Sequence, residues 1–123
     1  MPARVVVVHD DPNFTNALLE RLGSDVALFK DPVRALGALA SAKNISFLIT
    51  RLQFDDRQPV GLSLARMARA ARPNVRVVFT GLPAHRAYAR GLGEFLAEPV
   101  EAEPIALIVE WMDELDEDLI EEC

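Results

Sequence analysis

Four places in this sequence put polar side chains able to do chemistry at the end of a short apolar run. His9, Asp10 and Asp11 follow Val5–Val8, and Arg51 follows Phe47-Leu-Ile-Thr. Thr80 and Gly81 close Val-Val-Phe at 77–79, and Glu98 with Pro99 follows Phe95-Leu-Ala. Adjacent carboxylates such as Asp10 and Asp11 are the hard oxygen donors that magnesium selects. Arg51 offers the opposite chemistry, a planar cation that stays protonated and pairs with carboxylates through two parallel hydrogen bonds. A lone His9 is more simply a strand-end side chain satisfied by backbone than a metal ligand, since His85 lies far away in sequence.

Whether these groups meet depends on the elements that carry them. Val5–Val8, Val26–Phe29, Ile45–Thr50, Val75–Thr80 and Phe95–Leu96 read as strands. Their nearly continuous apolar character implies burial on both faces, hence parallel pairing with helices on each side of the sheet. Asp11-Pro12 and Asp31-Pro32 place a capping acid before proline at the first helical position, and Gly23 supplies a stop. Phe14, Leu18 and Leu22 line one side of the first helix, and Val33, Leu36, Leu39 and Ala40 are expected to line the second. Val60 to Ala71 forms a third helix, ended by Arg72-Pro73, and Ala84 to Arg90 a short fourth, stopped by Gly91 and Gly93. A last helix from about Glu103 onward shows an apolar stripe of Ile105, Ile108, Met112, Leu115 and Leu119. The expected class is α/β, a doubly wound sandwich, in which ligands bind beyond the carboxyl ends of the strands. Those ends are where the four polar clusters fall.

Composition narrows the function classes. The chain has 123 residues, enough for one domain, 1–123, and no output domain is expected. Its net charge of −6 argues against nucleic acid as the main partner, which would demand clustered Lys and Arg. The single cysteine, Cys123, excludes a disulfide framework or a cysteine metal cluster. No secretory core or membrane span can be drawn, so the expected location is the cytoplasm, with no membrane partner.

The order of these segments resembles the receiver domains of bacterial two-component response regulators over nearly the whole chain. Val-Val-Val-Val-His-Asp-Asp-Pro at 5–12 looks like the first strand with its acidic pair, and Phe-Leu-Ile-Thr-Arg-Leu at 47–52 like the strand presenting the phosphorylated aspartate. Val-Val-Phe-Thr-Gly at 77–81 matches the strand with the switch hydroxyl, and Phe-Leu-Ala-Glu-Pro-Val at 95–100 the segment whose lysine precedes a cis proline. Gly61-Leu62 fits the glycine before the third helix. The resemblance implies a flavodoxin-like fold of five parallel strands in the order 2-1-3-4-5 with five helices. In that family, magnesium held by the acidic pair and the acceptor aspartate neutralises an incoming phosphoryl group, and the lysine clamps its oxygens.

This sequence departs from that pattern at nearly every working position. His9 replaces the first acid, Arg51 the acceptor, Glu98 the lysine and Phe95 the switch aromatic, while Asp10, Thr80, Pro99 and Asp11 survive. The loop after Arg51 is longer by two residues and lacks the family's proline. Arginine has no carboxylate to acylate, so phosphotransfer to position 51 is excluded. Because Arg51 and Glu98 carry opposite signs, the family's acid-and-cation pair is expected here with its polarity exchanged. Arg51 would fork onto Asp10 and Glu98 together, replacing metal and lysine with an internal crosslink. His9, Asp10, Asp11, Arg51, Thr80 and Glu98 thus form the expected degenerate phosphorylation pocket, with no catalytic residue, resident metal or cofactor. Asp11 has a plainer role as cap of the first helix, Thr80 as a β-branched strand end and Phe95 as core.

The chain is therefore expected to be a stand-alone, phosphorylation-independent interaction module of two-component signalling rather than an enzyme. Its expected surface surrounds the fourth helix, fifth strand and fifth helix, with Arg86, Tyr88, Arg90, Phe95, Trp111, Leu115 and Leu119. The implied partners are a histidine kinase, a phosphotransferase, another regulator, or a second copy in a homodimer. Phosphorylation on Asp10, Asp11, Asp55 or Asp56 is one alternative. A small-ligand flavodoxin-like binder is another, although no glycine-rich phosphate loop follows the first strand.

Overall fold

The computed structural model describes residues 4–23, 26–41, 45–53, 60–98, 101 and 103–110. In chain order these give β1 (Val5–Val8), α1 (Pro12–Leu22), β2 (Val26–Phe29), α2 (Pro32–Ser41), β3 (Phe47–Arg51), α3 (Val60–Ala71) and β4 (Arg76–Gly81). A 3₁₀ helix, Pro83–Ala89, and β5 (Glu94–Ala97) follow, and residues 103–110 are helical. All four strand pairings are parallel, and the sheet order is β2-β1-β3-β4-β5, as the sequence led us to expect.

The alternation of side chains along each strand splits the core into two layers. Val6, Val8, Leu48, Val77 and Phe79 point to the side covered by α2, α3 and the 3₁₀ helix, where Ala35, Leu39, Leu64, Ala65, Ala68 and Ala89 meet them. Val5, Val7, Phe47, Ile49 and Val78 point the other way, against Phe14 and Leu18 of α1 and against Ile105, Ala106 and Val109. A strand buried on both faces has no polar alternation, which is why Val5–Val8 is four valines. Each fully buried Leu or Val there contributes about 1.5–3 kcal/mol relative to exposure.

The helix starts follow from their caps. The Asp11 carboxylate accepts the Asn13 N–H at 3.0 Å, and that of Asp31 accepts the Val33 N–H at 2.9 Å. Gly23 ends α1 at φ 81°, a conformation that glycine tolerates without a Cβ clash.

Several local expectations need correction. β3 starts at Phe47 rather than Ile45 and ends on Arg51; β4 runs from Arg76 to Gly81, and β5 is two residues longer than expected. Pairing continues past the apolar runs, with the Leu52 N–H donating to the Thr80 carbonyl at 2.8 Å, so Arg51 is a strand residue. The fourth helix is 3₁₀, because a seven-residue stretch held between Leu82-Pro83 and Gly91 closes with tight turns such as His85 N–H to the Leu82 carbonyl. Val33 is 70% exposed, since α2 turns Ala35 and Leu39, four residues apart, to the sheet instead. Ala40 is likewise exposed. In the last helix Ile105, Ala106 and Val109 are buried and Ile108 only partly so. Met112 and the rest of its expected stripe lie outside the described residues.

Candidate functional site

The sheet brings four strand ends into one crevice. Parallel pairing aligns Arg51 with Thr80 across β3 and β4, and Gly81 with Ala97 across β4 and β5, so Glu98 emerges one step beyond the Gly81–Ala97 pair. The Glu98 N–H donates to the Gly81 carbonyl at 2.7 Å and fixes that step. On the other side of β3, Val8 pairs with Thr50, which places His9 and Asp10 beside Arg51. Gly61 sits where α3 begins against β3. A Cβ there would collide with the Arg51 carbonyl oxygen and the Leu52 Cα, so only glycine permits this approach.

Arg51 ties the crevice together. Its Nε and Nη2 donate to Oε2 and Oε1 of Glu98 at 2.8 and 2.7 Å, a side-on two-pronged pair. Its Nη1 donates to Asp10 Oδ1 at 2.8 Å. Glu98 is the buried partner, its side chain 13% exposed against 45% for Asp10. The Thr80 hydroxyl, itself buried, also donates to Glu98 Oε2, at 3.0 Å. Arg51 therefore reaches both carboxylates at once, as the crosslink requires.

The charge states follow from this geometry. Burial works to raise the Glu98 pKa, but the hydrogen bonds and charge of Arg51, with help from Thr80, outweigh it and hold the carboxyl below its usual range. The same pairing with Glu98 raises the Arg51 guanidinium against the effect of burial, and Asp10 adds to the rise. His9 is buried at 5% exposure, and burial followed by the charge of Arg51 lowers its pKa, against the opposing pull of Glu98, Asp10 and Asp11. Its Nδ1 accepts the Asp11 N–H at 3.1 Å, which assigns the proton of the neutral ring to Nε2. That Nε2 has no hydrogen-bond partner and lies 3.5 Å from Glu98 Oε2, and the ring packs on Phe14.

Of the six expected pocket residues, His9, Asp10, Arg51, Thr80 and Glu98 converge. Asp11 contributes its backbone N–H to His9 and spends its exposed carboxylate on the α1 cap. A guanidinium sits among the carboxylates, and among the described residues no three His, Cys, Asp or Glu side chains gather around a point that could hold a metal ion. Chemically the arrangement fixes charge. It holds one arginine and two acids in a defined geometry at the place where the fold class binds ligands.

No family model and no curated protein sequence matches this chain. Solved structures do. A response regulator receiver protein from Sinorhizobium medicae is 22% identical, with 85% of this chain and 88% of that one aligned at a TM-score of 0.70. A response regulator receiver domain from Clostridium thermocellum is 20% identical, with 95% and 98% aligned at a TM-score of 0.75. This chain has the receiver-domain fold. An uncharacterized protein from Neptuniibacter caesariensis shares it, with 25% identity, 88% and 84% aligned and a TM-score of 0.69.

Within the receiver fold, the surface expected around the 3₁₀ helix is only partly as read from sequence. Arg86, Tyr88 and Arg90 are exposed. Phe95 is not a surface residue. It is 8% exposed and belongs to the core layer shared by α2, α3 and the 3₁₀ helix, with Arg86 over its ring at 5.0 Å and bonding its carbonyl at 3.4 Å. Trp111, Leu115 and Leu119 lie outside the described residues, as do Asp55, Asp56 and Pro99. Arg21 was missed entirely. It clamps α1 to the last helix, with Nε 3.1 Å from Glu103 Oε2 and both Nη atoms on Glu110. These partners are 82 and 89 residues away, so no local pattern announces them. Beside the clamp runs a surface groove of about 560 Å³ lined by Asn13, Phe14, Ala17 and Glu20 among others, which was also not foreseen.

Proposed function

We propose that this chain is an atypical receiver module of two-component signalling that acts through protein contacts without being phosphorylated. One observation carries the reading. At the end of β3, where the resemblance expects an acceptor aspartate, a guanidinium is locked onto Glu98 and Asp10. A phosphoryl group has no carboxylate to join there, and the guanidinium occupies the space between the carboxylates that a magnesium ion would otherwise bridge. The crosslink holds the ends of β1, β3 and β5 in a single arrangement, so the module presents one state to its partners rather than switching between two. Those partners are a histidine kinase, a phosphotransferase or another regulator in the cytoplasm, meeting the exposed surface of Arg86, Tyr88 and Arg90. No enzymatic activity belongs to this reading.

The decisive experiment is incubation of the chain with a small phosphodonor and magnesium, followed by intact mass measurement. The expected mass is unchanged. A stoichiometric phosphoryl adduct on any aspartate would overturn the reading in favour of a receiver phosphorylated at a non-standard site.

A further inference from the structure

His9 and Arg51 face the same two oxygen atoms. Arg51 Nη1 donates to Asp10 Oδ1 and its Nε to Glu98 Oε2, each at 2.8 Å. His9 reaches toward both at longer range, with Nδ1 3.8 Å from Asp10 Oδ1 and Nε2 3.5 Å from Glu98 Oε2. In the neutral ring Nδ1 is occupied as an acceptor of the Asp11 N–H, and the buried Nε2 has no hydrogen-bond partner. A proton changes both ends of the ring. Nδ1 then meets the Asp11 N–H donor to donor, and both nitrogens become charged donors that require anions.

We propose that the crevice is a proton-driven exchange between two cations: His9, on taking up a proton from solvent, claims Asp10 Oδ1 and Glu98 Oε2, and Arg51 Nη1 and Nε give them up. The two cations cannot share the pair. A carboxylate oxygen offers two lone-pair sites, and those of Glu98 Oε2 are filled by Arg51 Nε and by the Thr80 hydroxyl at 3.0 Å. Repulsion between the cations makes Arg51, and not Thr80, the donor that leaves. Arg51 can leave because its side chain is 28% exposed and turns to water, whereas that of His9 is 6% exposed and has to pair within the fold once charged.

The surroundings leave His9 these two oxygens. The charged groups that face it are Asp10 and Asp11 from its own segment, Arg51 from β3 and Glu98 from beyond β5. Asp11 holds its carboxylate on the Asn13 N–H. The other neighbours are uncharged: the Phe14 ring from α1, the Phe29 carbonyl from β2 and, on the shared carboxylate, the Thr80 hydroxyl from β4. Burial and the charge of Arg51 keep the ring neutral down to a pH below 6.5, so the Arg51 fork is the arrangement near neutrality and acid opens it. The inference rests on the interaction-module reading, whose single arrangement is that of the neutral ring, and gives the module a second arrangement reached by a proton instead of a phosphoryl group.

Nitrogen NMR of the isotope-labelled full chain between about pH 7.5 and pH 4.5 tests it. The ring nitrogens of His9, told apart from those of His85 by the His85→Gln variant, report the proton. The Arg51 Nε–H signal reports the fork. Both are expected to change with one midpoint while the backbone spectrum stays folded, and the Arg51 signal is expected to be lost to solvent exchange as the imidazolium forms. In His9→Asn the Arg51 signal should persist through that pH range. In Arg51→Gln the His9 midpoint should move upward, because the competing cation is gone.

An Arg51 signal that survives the titration of His9, or one that is lost at the same pH in His9→Asn, overturns the proposal. So does a chain that unfolds with His9 still neutral. If Arg51→Gln fails to fold, the wild type and His9→Asn decide alone; if it folds, an unmoved His9 midpoint overturns the proposal equally. None of these results changes the mass found with a phosphodonor, so the two readings fail separately.

Discussion

Arg51 at the end of β3 and Glu98 just past β5 meet side-on across β4, with Nε and Nη2 on the two carboxylate oxygens at 2.8 and 2.7 Å. The Thr80 hydroxyl of the intervening strand binds the same carboxylate. Three strand ends therefore share one charged junction, and its disruption should be felt by the whole sheet.

Arg51→Ala is expected to destabilise the domain by roughly 3 kcal/mol, because it leaves the mostly buried Glu98 carboxylate without its cation. Coupling to Asp10 should be below about 1 kcal/mol, since that carboxylate is 45% exposed and screened by water. Double-mutant cycles from urea unfolding, one with Glu98→Ala and one with Asp10→Ala, separate the two. Equal couplings, or Arg51→Ala as stable as wild type, would contradict the assignment of Glu98 as the principal partner.

The buried His9 predicts a pH dependence. Its folded pKa lies below the ordinary value of 6.5, so on acidification the unfolded chain takes up a proton before the folded one does. Stability therefore falls as pH drops below about 6.5, until the folded pKa is reached. Glu98, whose pKa is held below 4.5, adds a second loss, as pH falls from that value through its folded pKa. His9→Asn keeps an acceptor near the Asp11 N–H and should flatten only the upper part of the profile. Melting temperatures between pH 4.5 and pH 7 measure it, and identical slopes in both proteins would count against a neutral His9 in the fold.

Gly61→Ala should destabilise by roughly 3 kcal/mol or more, because the added methyl meets backbone at Arg51 and Leu52, which cannot rotate away. Gly37, inside α2 with open space around its Cβ position, is the control. Gly37→Ala should stabilise by about 0.5–1 kcal/mol. Chemical denaturation of the two variants beside wild type gives both signs in one experiment.

Arg51→Asp puts a third carboxylate beside Asp10 and Glu98 in place of the cation. The variant should be less stable than wild type without metal and should gain several degrees in melting temperature with millimolar magnesium, whereas wild type should not respond. A magnesium response in wild type, or none in the variant, would show that the guanidinium does not stand in a cation's place.

The sequence by itself determined the layered parallel fold. Runs such as Val5–Val8 have no polar alternation, and Asp11-Pro12 and Asp31-Pro32 mark helix starts through interactions spanning two residues, so both signals are local. It also determined which chemical groups stand at the strand ends, including an arginine opposite a glutamate. Tertiary structure alone decided how those groups meet. The Arg51 fork depends on the register of β3 with β4 and of β4 with β5, which no window of sequence contains. The proton position on His9 depends on one backbone N–H at the start of α1, and the burial of Phe95 on the core layer it joins, with the Arg86 guanidinium laid over its ring. Arg21 holds Glu103 and Glu110 only because α1 and the last helix cover the same side of the sheet. Local free energies write the elements into the chain, but a contact across 47 or 82 residues exists only after chain entropy has been overcome by packing of the whole core.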